Sequence, residues 1–522
     1  NDDRKAHKLD KYIVVDLPPD TTDVNTLDKA NPAYASYALT SDIKVGAPDG
    51  LAYREYQKAA IDYLVNHKAA LLADPPGAGK TIEIAGYLNK LHEDTPDYNL
   101  RVLIVSPASL VLTWERELKK WLTYDTYVYV FRSGGRKSKV SFAEPDICIC
   151  SYEKLCNLFA PYYEMKKDRN GNVQFSMKPE VQKYYDVVVL DEAHYCKSEA
   201  SRRTWVALSF SAGACQRVYM TGTPMLNRPI EIWPLVHTLR PDIFPDKERY
   251  AYHFCQRHLK EVWIKNKNGM PTKKMVWDES GAANISELNR ILRENMMIRR
   301  EKKDILPELP AKMIQTVVLP AKPDELAEEM DIWHRMVSRY GVDDAILKMF
   351  GSSVGSDDMG EMAQIRQRVA LAKIPYVLEF VSNLLSSGEQ KVIIMAHHRA
   401  VVAELVEKFK AAKHNPVMVV GGMSTDEKQK AVDSFQNNPE VHVFIGNIRA
   451  AGVGLTLTAS HSVVFAELDF TPGVMEQAMD RAHRLGQTET VNVYQLVLED
   501  SLDSYLVDML QHKDNIAKEL TK

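Results

Sequence analysis

Three short clusters carry most of the chemical potential of this 522-residue chain, and the first is Asp74-Pro75-Pro76-Gly77-Ala78-Gly79-Lys80-Thr81. Gly77 and Gly79 allow a backbone to aim its N–H groups at a polyphosphate, and a helix starting at Lys80 adds a positive dipole end. Lys80 has the reach and charge for β- and γ-phosphates, and the Thr81 hydroxyl suits Mg²⁺. The usual G-x-x-x-x-G-K-[ST] loop has glycine where this chain has Asp74, so the context must decide. The second cluster is Asp191-Glu192-Ala193-His194. There Asp191 suits a metal ion, directly or through water, and Glu192 suits the base that polarises a hydrolytic water. The third runs from Gln477 to Gln487 and reads as a helix. Arg481 and Arg484, three residues apart, then share a face from which they could stabilise charge on a γ-phosphate.

The elements around these clusters read as strands and helices in alternation. Ala69–Leu72 is an apolar run before the loop, and Ile82, Ala85, Leu88 and Leu91 follow it at helical spacing. Val102–Val105, Ile147–Cys150, Val187–Leu190 and Val218–Met220 are apolar throughout, as parallel strands buried on both faces are. They predict a doubly wound α/β domain over 51–245. Each strand ends in a polar cluster, where such folds place their chemistry. Tyr53–Asn66 predicts an amphipathic helix, on which the Gln57 amide matches an adenine edge. A second α/β unit, 371–522, has its strands at Val392–Met395, Val417–Val420, Val441–Ile445, Val463–Phe465 and Val491–Tyr494. The stretch 246–370 reads as an insertion or linker. It holds a basic, aromatic hairpin over Lys260–Lys274 with Trp263 and an Asn268-Gly269 turn, a second basic cluster over Ile298–Lys303, helix over 322–350 and a loop over 351–358. Hairpin and cluster are candidate DNA contacts. Residues 1–50 read as an accessory region with one strand-like run, Tyr12–Val15.

Composition narrows the class. With 45% hydrophobic and 26% charged residues the chain has globular composition, and its length suits several domains. A net charge of −4, from 66 basic and 70 acidic residues, gives no global pull on nucleic acid, so such a partner needs a local patch. The six cysteines include no C-x-x-C pair, against a zinc site or disulfide framework. No apolar run is long enough for a membrane span, and the expectation is a soluble intracellular protein of the nucleus, or of a host cytoplasm for a prokaryotic or viral source.

The order of motifs resembles the Swi/Snf-type ATPases of helicase superfamily 2 over nearly all of residues 51–512; that family also has Asp at the position of Asp74. Met395–His398, Val463–Leu468 and Pro472-Gly473 are similar to its HARP-like annealing-helicase subgroup. The resemblance implies an α/β fold of two tandem RecA-like doubly wound parallel-sheet domains, with helical and hairpin insertions and a short N-terminal accessory region. It implies ATP and Mg²⁺ as cofactors and a DNA-dependent ATPase that translocates on duplex, forked or branched DNA without sequence preference, by fork regression, branch migration or strand annealing. The alternative is a remodeller displacing proteins from duplex DNA, ranked second because little chain precedes or follows the motor for histone-reading modules. Carried over residue by residue, Gln57 meets adenine. Pro76, Gly77, Ala78, Gly79 and Lys80 cradle phosphates, and Thr81 and Asp191 hold Mg²⁺. Glu192 is the base, Gly454, Gln477 and Arg484 face the nucleotide, and Arg481 is the arginine finger. Ser106, Pro107, Ser151, Tyr152, Thr221, His397, His398, Arg399, Gly452 and Thr456 contact DNA or couple it to ATP. Tyr53 stands where the family usually has Leu, and Asn447 where it has Ser or Thr.

Overall fold

The computed structural model describes residues 34–131, 145–160, 163–167, 173–177, 185–225, 228–265, 271–320, 327–340, 365–452, 454–499 and 501–521. The expected strand Tyr12–Val15, the Asn268-Gly269 turn and the loop 351–358 lie outside them. Of the helix expected over 322–350, Ala327–Tyr340 is described and is helical.

In chain order the strands are β1 (Ala69–Leu72), β2 (Val102–Ser106), β3 (Val128–Phe131), β4 (Ile147–Ser151), β5 (Tyr163–Lys167), β6 (Val173–Met177), β7 (Val187–Asp191), β8 (Gln216–Met220), β9 (His258–Lys265), β10 (Pro271–Asp278), β11 (Met297–Ile298) and β12 (Lys312–Leu319). They continue with β13 (Val392–Ala396), β14 (Val417–Val419), β15 (Val443–Asn447), β16 (Ser462–Phe465) and β17 (Val491–Leu498). Two parallel sheets result, in the orders β11-β1-β8-β7-β2-β4-β3 and β12-β17-β16-β13-β15-β14. The expected hairpin is present as the antiparallel pair β9 and β10. The stretch 246–370 also gives β11 to the first sheet and β12 to the second, so the chain between the two units is woven into both.

Strand β2 shows why the first sheet needs cover on both sides. Val102 and Ile104 pack on one face with Leu64 and Leu88, from helices α1 (Glu55–Asn66) and α2 (Lys80–Asp94). Leu103 and Val105 pack on the other with Leu155 and Phe210. A strand apolar at four successive positions sits between two helical layers. Register then sets the site: Leu72 pairs with Met220, and Met220 with Asp191. Residues 73–81, 191–194 and 221–224 therefore leave the sheet side by side, at the carboxyl edge where doubly wound folds bind ligands. In the second sheet Ala396 pairs with Asn447 and Met395 with Phe465, which brings His397, Arg449 and Glu467 to the matching edge.

One ion pair joins the loop after β1 to the segment after β11. Asp74 and Arg300 have side chains 0% and 1% exposed. Arg300 donates its backbone N–H to Asp74 Oδ1 at 2.9 Å and its Nε to the same oxygen at 3.0 Å, with Nη2 on Asp74 Oδ2. Its Nη1 donates to the carbonyls of Tyr56 (2.7 Å) and Ala38 (3.0 Å), and Nη2 also to Glu83 Oε1 (3.4 Å). All the guanidinium donors are used, which is the condition for burying the charge. Burial, and next the Asp74 charge, push the Glu83 carboxyl well above the ordinary carboxylate range. Most of the basic cluster 298–303 thus faces inward, and only Lys303 of its basic side chains is largely exposed. Arg300 is buried, Arg299 donates to Ala73 O and to Gly222 O (3.1 Å), and Lys302 is paired. Removing one partner of a buried pair strands the other charge, so Asp74→Ala should cost about 3–5 kcal/mol in urea unfolding. Glu83→Gln, which keeps a group of the same shape there, should cost less than about 1 kcal/mol by the same measurement.

Candidate nucleotide site between the two sheets

The glycine loop takes a shape that glycine alone adopts easily. Gly77 and Gly79 have φ of 86° and 85°. Space is short as well: a Cβ on Gly79 would lie 2.7 Å from Gln57 Nε2, and one on Gly77 would lie 3.3 Å from Arg484 Cβ. Lys80 Nζ, at the start of α2, donates to the carbonyls of Asp74 (2.7 Å) and Pro75 (3.2 Å), within the loop a phosphate would enter. Tyr56 OH and Gln57 Nε2 both reach Ala78 O, at 2.8 and 3.5 Å. Gln57 Oε1 accepts the Arg54 N–H at 3.0 Å. Gln57, expected to read adenine, is 3% exposed and ties the start of α1 to the loop.

The acidic strand end lies beside this loop. Asp191 accepts from Trp114 Nε1 at 2.8 Å and from the Glu192 backbone at 2.9 Å. Burial and then the Glu192 charge raise its carboxyl to about 7, against the opposing pull of the Trp114 bond and Lys80. Glu192 has a left-handed φ of 48°, unusual for a side chain of its size and common where function over-determines geometry. Its carboxyl is raised by burial and lowered by the charges of Lys80 and Arg481, one from each domain. Oε2 of Glu192 approaches His194 Nδ1 at 3.3 Å yet makes no hydrogen bond. His194 Nδ1 instead pairs with Thr221 Oγ1 at 3.0 Å, and burial lowers that imidazole to about 3, so it is neutral. An unsatisfied buried carboxylate oxygen fits a site that receives water or a hydrated cation. Mg²⁺ keeps several waters and phosphate oxygens, so Thr81 and Asp191 suffice from the protein. Among the described residues no group of three or more His, Cys, Asp or Glu forms an all-protein metal cage.

The second domain supplies two arginines, though not from a helix. Helix α3 (Pro472–Met479) ends before them, which corrects the helix expected to Gln487. Arg481 donates Nε to Gln477 O (2.9 Å), and both Arg481 and Arg484 donate Nη1 to Leu455 O (3.4 and 3.1 Å). A shared carbonyl, not a shared helix face, sets them together. Burial lowers Arg484 to about 10, and Arg481 is lowered by burial against the Glu192 charge. Gln477 Nε2 crosses to Thr223 Oγ1 at 3.2 Å. At Gly454 a Cβ would lie 2.6 Å from Leu110 Cδ2 of the first domain.

Four residues read as DNA contacts are committed to the protein interior. Ser106 is buried with its hydroxyl on Pro107 O (3.3 Å), and Ser151 caps the helix Tyr152–Leu158 by accepting from Lys154 N (3.1 Å). Tyr152 donates to Asp191 O (2.8 Å), and Thr221 holds His194. Tyr152 and Thr221 thereby position the acidic strand end, and all four side chains, like Pro107, are buried. At the other edge, His398 Nδ1 lies 2.6 Å from Glu467 Oε1, and the His397 and His398 N–H groups donate to Glu467 Oε2 at 2.8 Å. Arg399 is exposed, with Nη2 on Gly421 O. Thr456 is half-buried, and Gly452 is buried. Asn447, in place of Ser or Thr, caps Ile448–Ala451 by accepting from Ala450 N (3.1 Å) and donates to His397 O. Sequence reasoning missed Trp114, whose indole fixes Asp191; its apolar helix spacing gave no sign of a polar task.

A carboxyl whose pKa is higher folded than unfolded makes the folded state bind more protons, so its contribution to stability falls as pH rises from about 4 to 7. With EDTA and no nucleotide, Asp191→Asn should therefore melt higher than wild type at pH 8. The difference should shrink as the buffer approaches pH 4.

The SNF2-related domain family matches residues 56–367, and the helicase conserved C-terminal domain family matches residues 372–486. The DNA annealing helicase and endonuclease ZRANB3 of Bos taurus is 30% identical over 468 residues, 88% of this chain and 40% of that protein. The SWI/SNF-related matrix-associated actin-dependent regulator of chromatin subfamily A-like protein 1 of Xenopus tropicalis is 30% identical over 464 residues, 88% of this chain and 44% of that protein. The chain thus spans less than half the length of these curated relatives. The solved Sulfolobus solfataricus SWI2/SNF2 ATPase core in complex with dsDNA is 20% identical, with a TM-score of 0.41, covering 92% of this chain and 96% of that chain. The first family match runs from the start of the Gln57 helix through β12 of the linker, more than half the chain, and the chain belongs to the SNF2-related family.

Proposed function

We propose that the chain is a DNA-dependent ATPase that translocates on duplex, forked or branched DNA, working by closure and opening of its two sheets around ATP. The observation that carries this reading is the meeting of two domains at one charge centre: Arg481 and Lys80 both act on Glu192, and Arg484 packs against Gly77. Hydrolysis needs a base, a phosphate cradle and a cation that completes only on closure, and those groups come from opposite sides of one cleft. The loop 74–81 would hold the phosphates, with Lys80 exchanging its bonds to Asp74 O and Pro75 O for phosphate oxygens. Mg²⁺, held by Thr81 and Asp191, would neutralise phosphate charge. Glu192 takes the proton of the attacking water, with neutral His194 beside it and Trp114 holding the acidic strand end still. Arg481 offsets charge at the γ-phosphate. His397, His398, Arg399, Gly452 and Thr456, on the edge of the second sheet, with Pro107 from the first, are the proposed contacts or couplers to DNA backbone. Such contacts read phosphate and not sequence. The relatives' names, a DNA annealing helicase and a chromatin regulator, support DNA as the partner, and the first supports strand annealing among the activities.

The test compares ATP hydrolysis with no nucleic acid and with duplex, single-stranded, forked and four-way DNA and RNA. Forked or four-way DNA should stimulate most, and stimulation by RNA alone would overturn the reading. Glu192→Gln should lower stimulated hydrolysis by roughly 10²- to 10⁴-fold while the protein still shifts DNA in a gel.

A further inference from the structure

The arginine turn lacks the helix that would fix it, and the linker between the domains takes that role. Asp480 immediately precedes Arg481, and His483 immediately precedes Arg484. Lys302 Nζ donates to Asp480 Oδ1 at 2.8 Å and to the His483 carbonyl at 2.6 Å, so one ammonium holds the turn on both sides of the first arginine. Lys312 pairs with Glu476, on the last turn of α3, and lies 3.6 Å from Asp480 Oδ1. The His483 ring closes the set on Pro310 O at 2.8 Å. The Asp480 side chain is 1% exposed and that of Lys302 16%, so solvent screens the pair little.

The other end of this linker is fixed to the phosphate loop. Arg300, two residues before Lys302, is locked to Asp74, and Asp74 opens the loop that ends in Lys80. Three residues of chain, Arg300 to Lys302, therefore link the start of the cradle to the residues flanking the two arginines. Displacing a reacting or stabilising group by an ångström costs up to about 10²-fold in rate, so this strut has leverage on hydrolysis without touching nucleotide.

We propose that Lys302 is a positioning residue for ATP hydrolysis, which transmits the location of the phosphate loop to Arg481 and Arg484 through Asp480 and the His483 carbonyl. This rests on the ATPase reading above. Binding of ATP relies mainly on the loop itself, so the effect falls on turnover.

The experiment measures DNA-stimulated steady-state hydrolysis and equilibrium binding of a fluorescent ATP analogue for wild type, Lys302→Met, Lys302→Arg and the near-isosteric Asp480→Asn. For Lys302→Met and Asp480→Asn we expect kcat lower by roughly 10- to 100-fold. The analogue's Kd should change less than about threefold, and Lys302→Arg should recover most of kcat because a guanidinium can still span two acceptors. Retention of wild-type kcat by Lys302→Met overturns the inference, as does equal loss of binding and turnover in a variant with wild-type melting temperature. If Lys302→Met does not fold, Asp480→Asn decides alone by the same kcat and Kd criteria. A wild type without ATP hydrolysis defeats the ATPase reading itself, and is thereby told apart from a failure of the strut.

Discussion

The ion pair of Asp74 with Arg300 is the constraint on which the other parts rest. It lies under the phosphate loop, where four separate stretches converge: those carrying the carbonyls of Ala38 and of Tyr56, the end of β1 and the residues after β11. A buried pair of this kind adds little net stability compared with a well-packed apolar substitute. Its value is specificity, because the donors of Arg300 are satisfied in one arrangement of the loop only. The loop is then delivered to α2 in a fixed pose, with Lys80 and the acidic strand end on the same edge.

That arrangement explains a division of labour. Groups of the first domain are held by buried side chains: Trp114 on Asp191, Tyr152 on the Asp191 carbonyl, Thr221 on His194. Groups of the second are held at the edge of a turn, by Leu455 O and the linker. A cradle held by side chains in one domain and cations held through carbonyls in the other suit a cleft that closes on each cycle. Glu192 stands between them, its left-handed backbone held in place by the strand behind it and its charge answered from both domains.

The sequence shows the central strands, because β1, β2, β4 and β7 are apolar at nearly every position and no other environment suits them. The loop, the acidic pair and the arginines were legible from residue type and spacing. Depth was not. Ser106, Ser151 and Tyr152 end strands just as a contact residue would, and only the packing of neighbouring layers shows that their hydroxyls are spent inside. Likewise Ile298–Lys303 reads as a basic patch, since partners more than 170 residues away in sequence leave no local trace. The end of α3 at Met479 was hidden for the opposite reason: Ala482 and Leu485 continue a helical spacing that the tertiary bonds of Arg481 and His483 override.

The two strands that the linker gives to the parallel sheets also govern how the chain can be assembled. Strand β11 closes onto β1 across more than 200 residues, and β12 pairs with β17, with Lys312 opposite Val491. On a ribosome, then, the first sheet stays one strand short until Ile298 emerges. Strand β12 must wait, with Met313, Ile314 and Val318 half or more exposed even when paired, until almost the entire second domain has been made. Parallel pairing at such separation is slow and leaves an apolar edge open to other chains. The same lysines that brace the arginine turn flank that edge, Lys312 at its first residue, and charge at the start of a waiting strand is a known brake on its sticking to others.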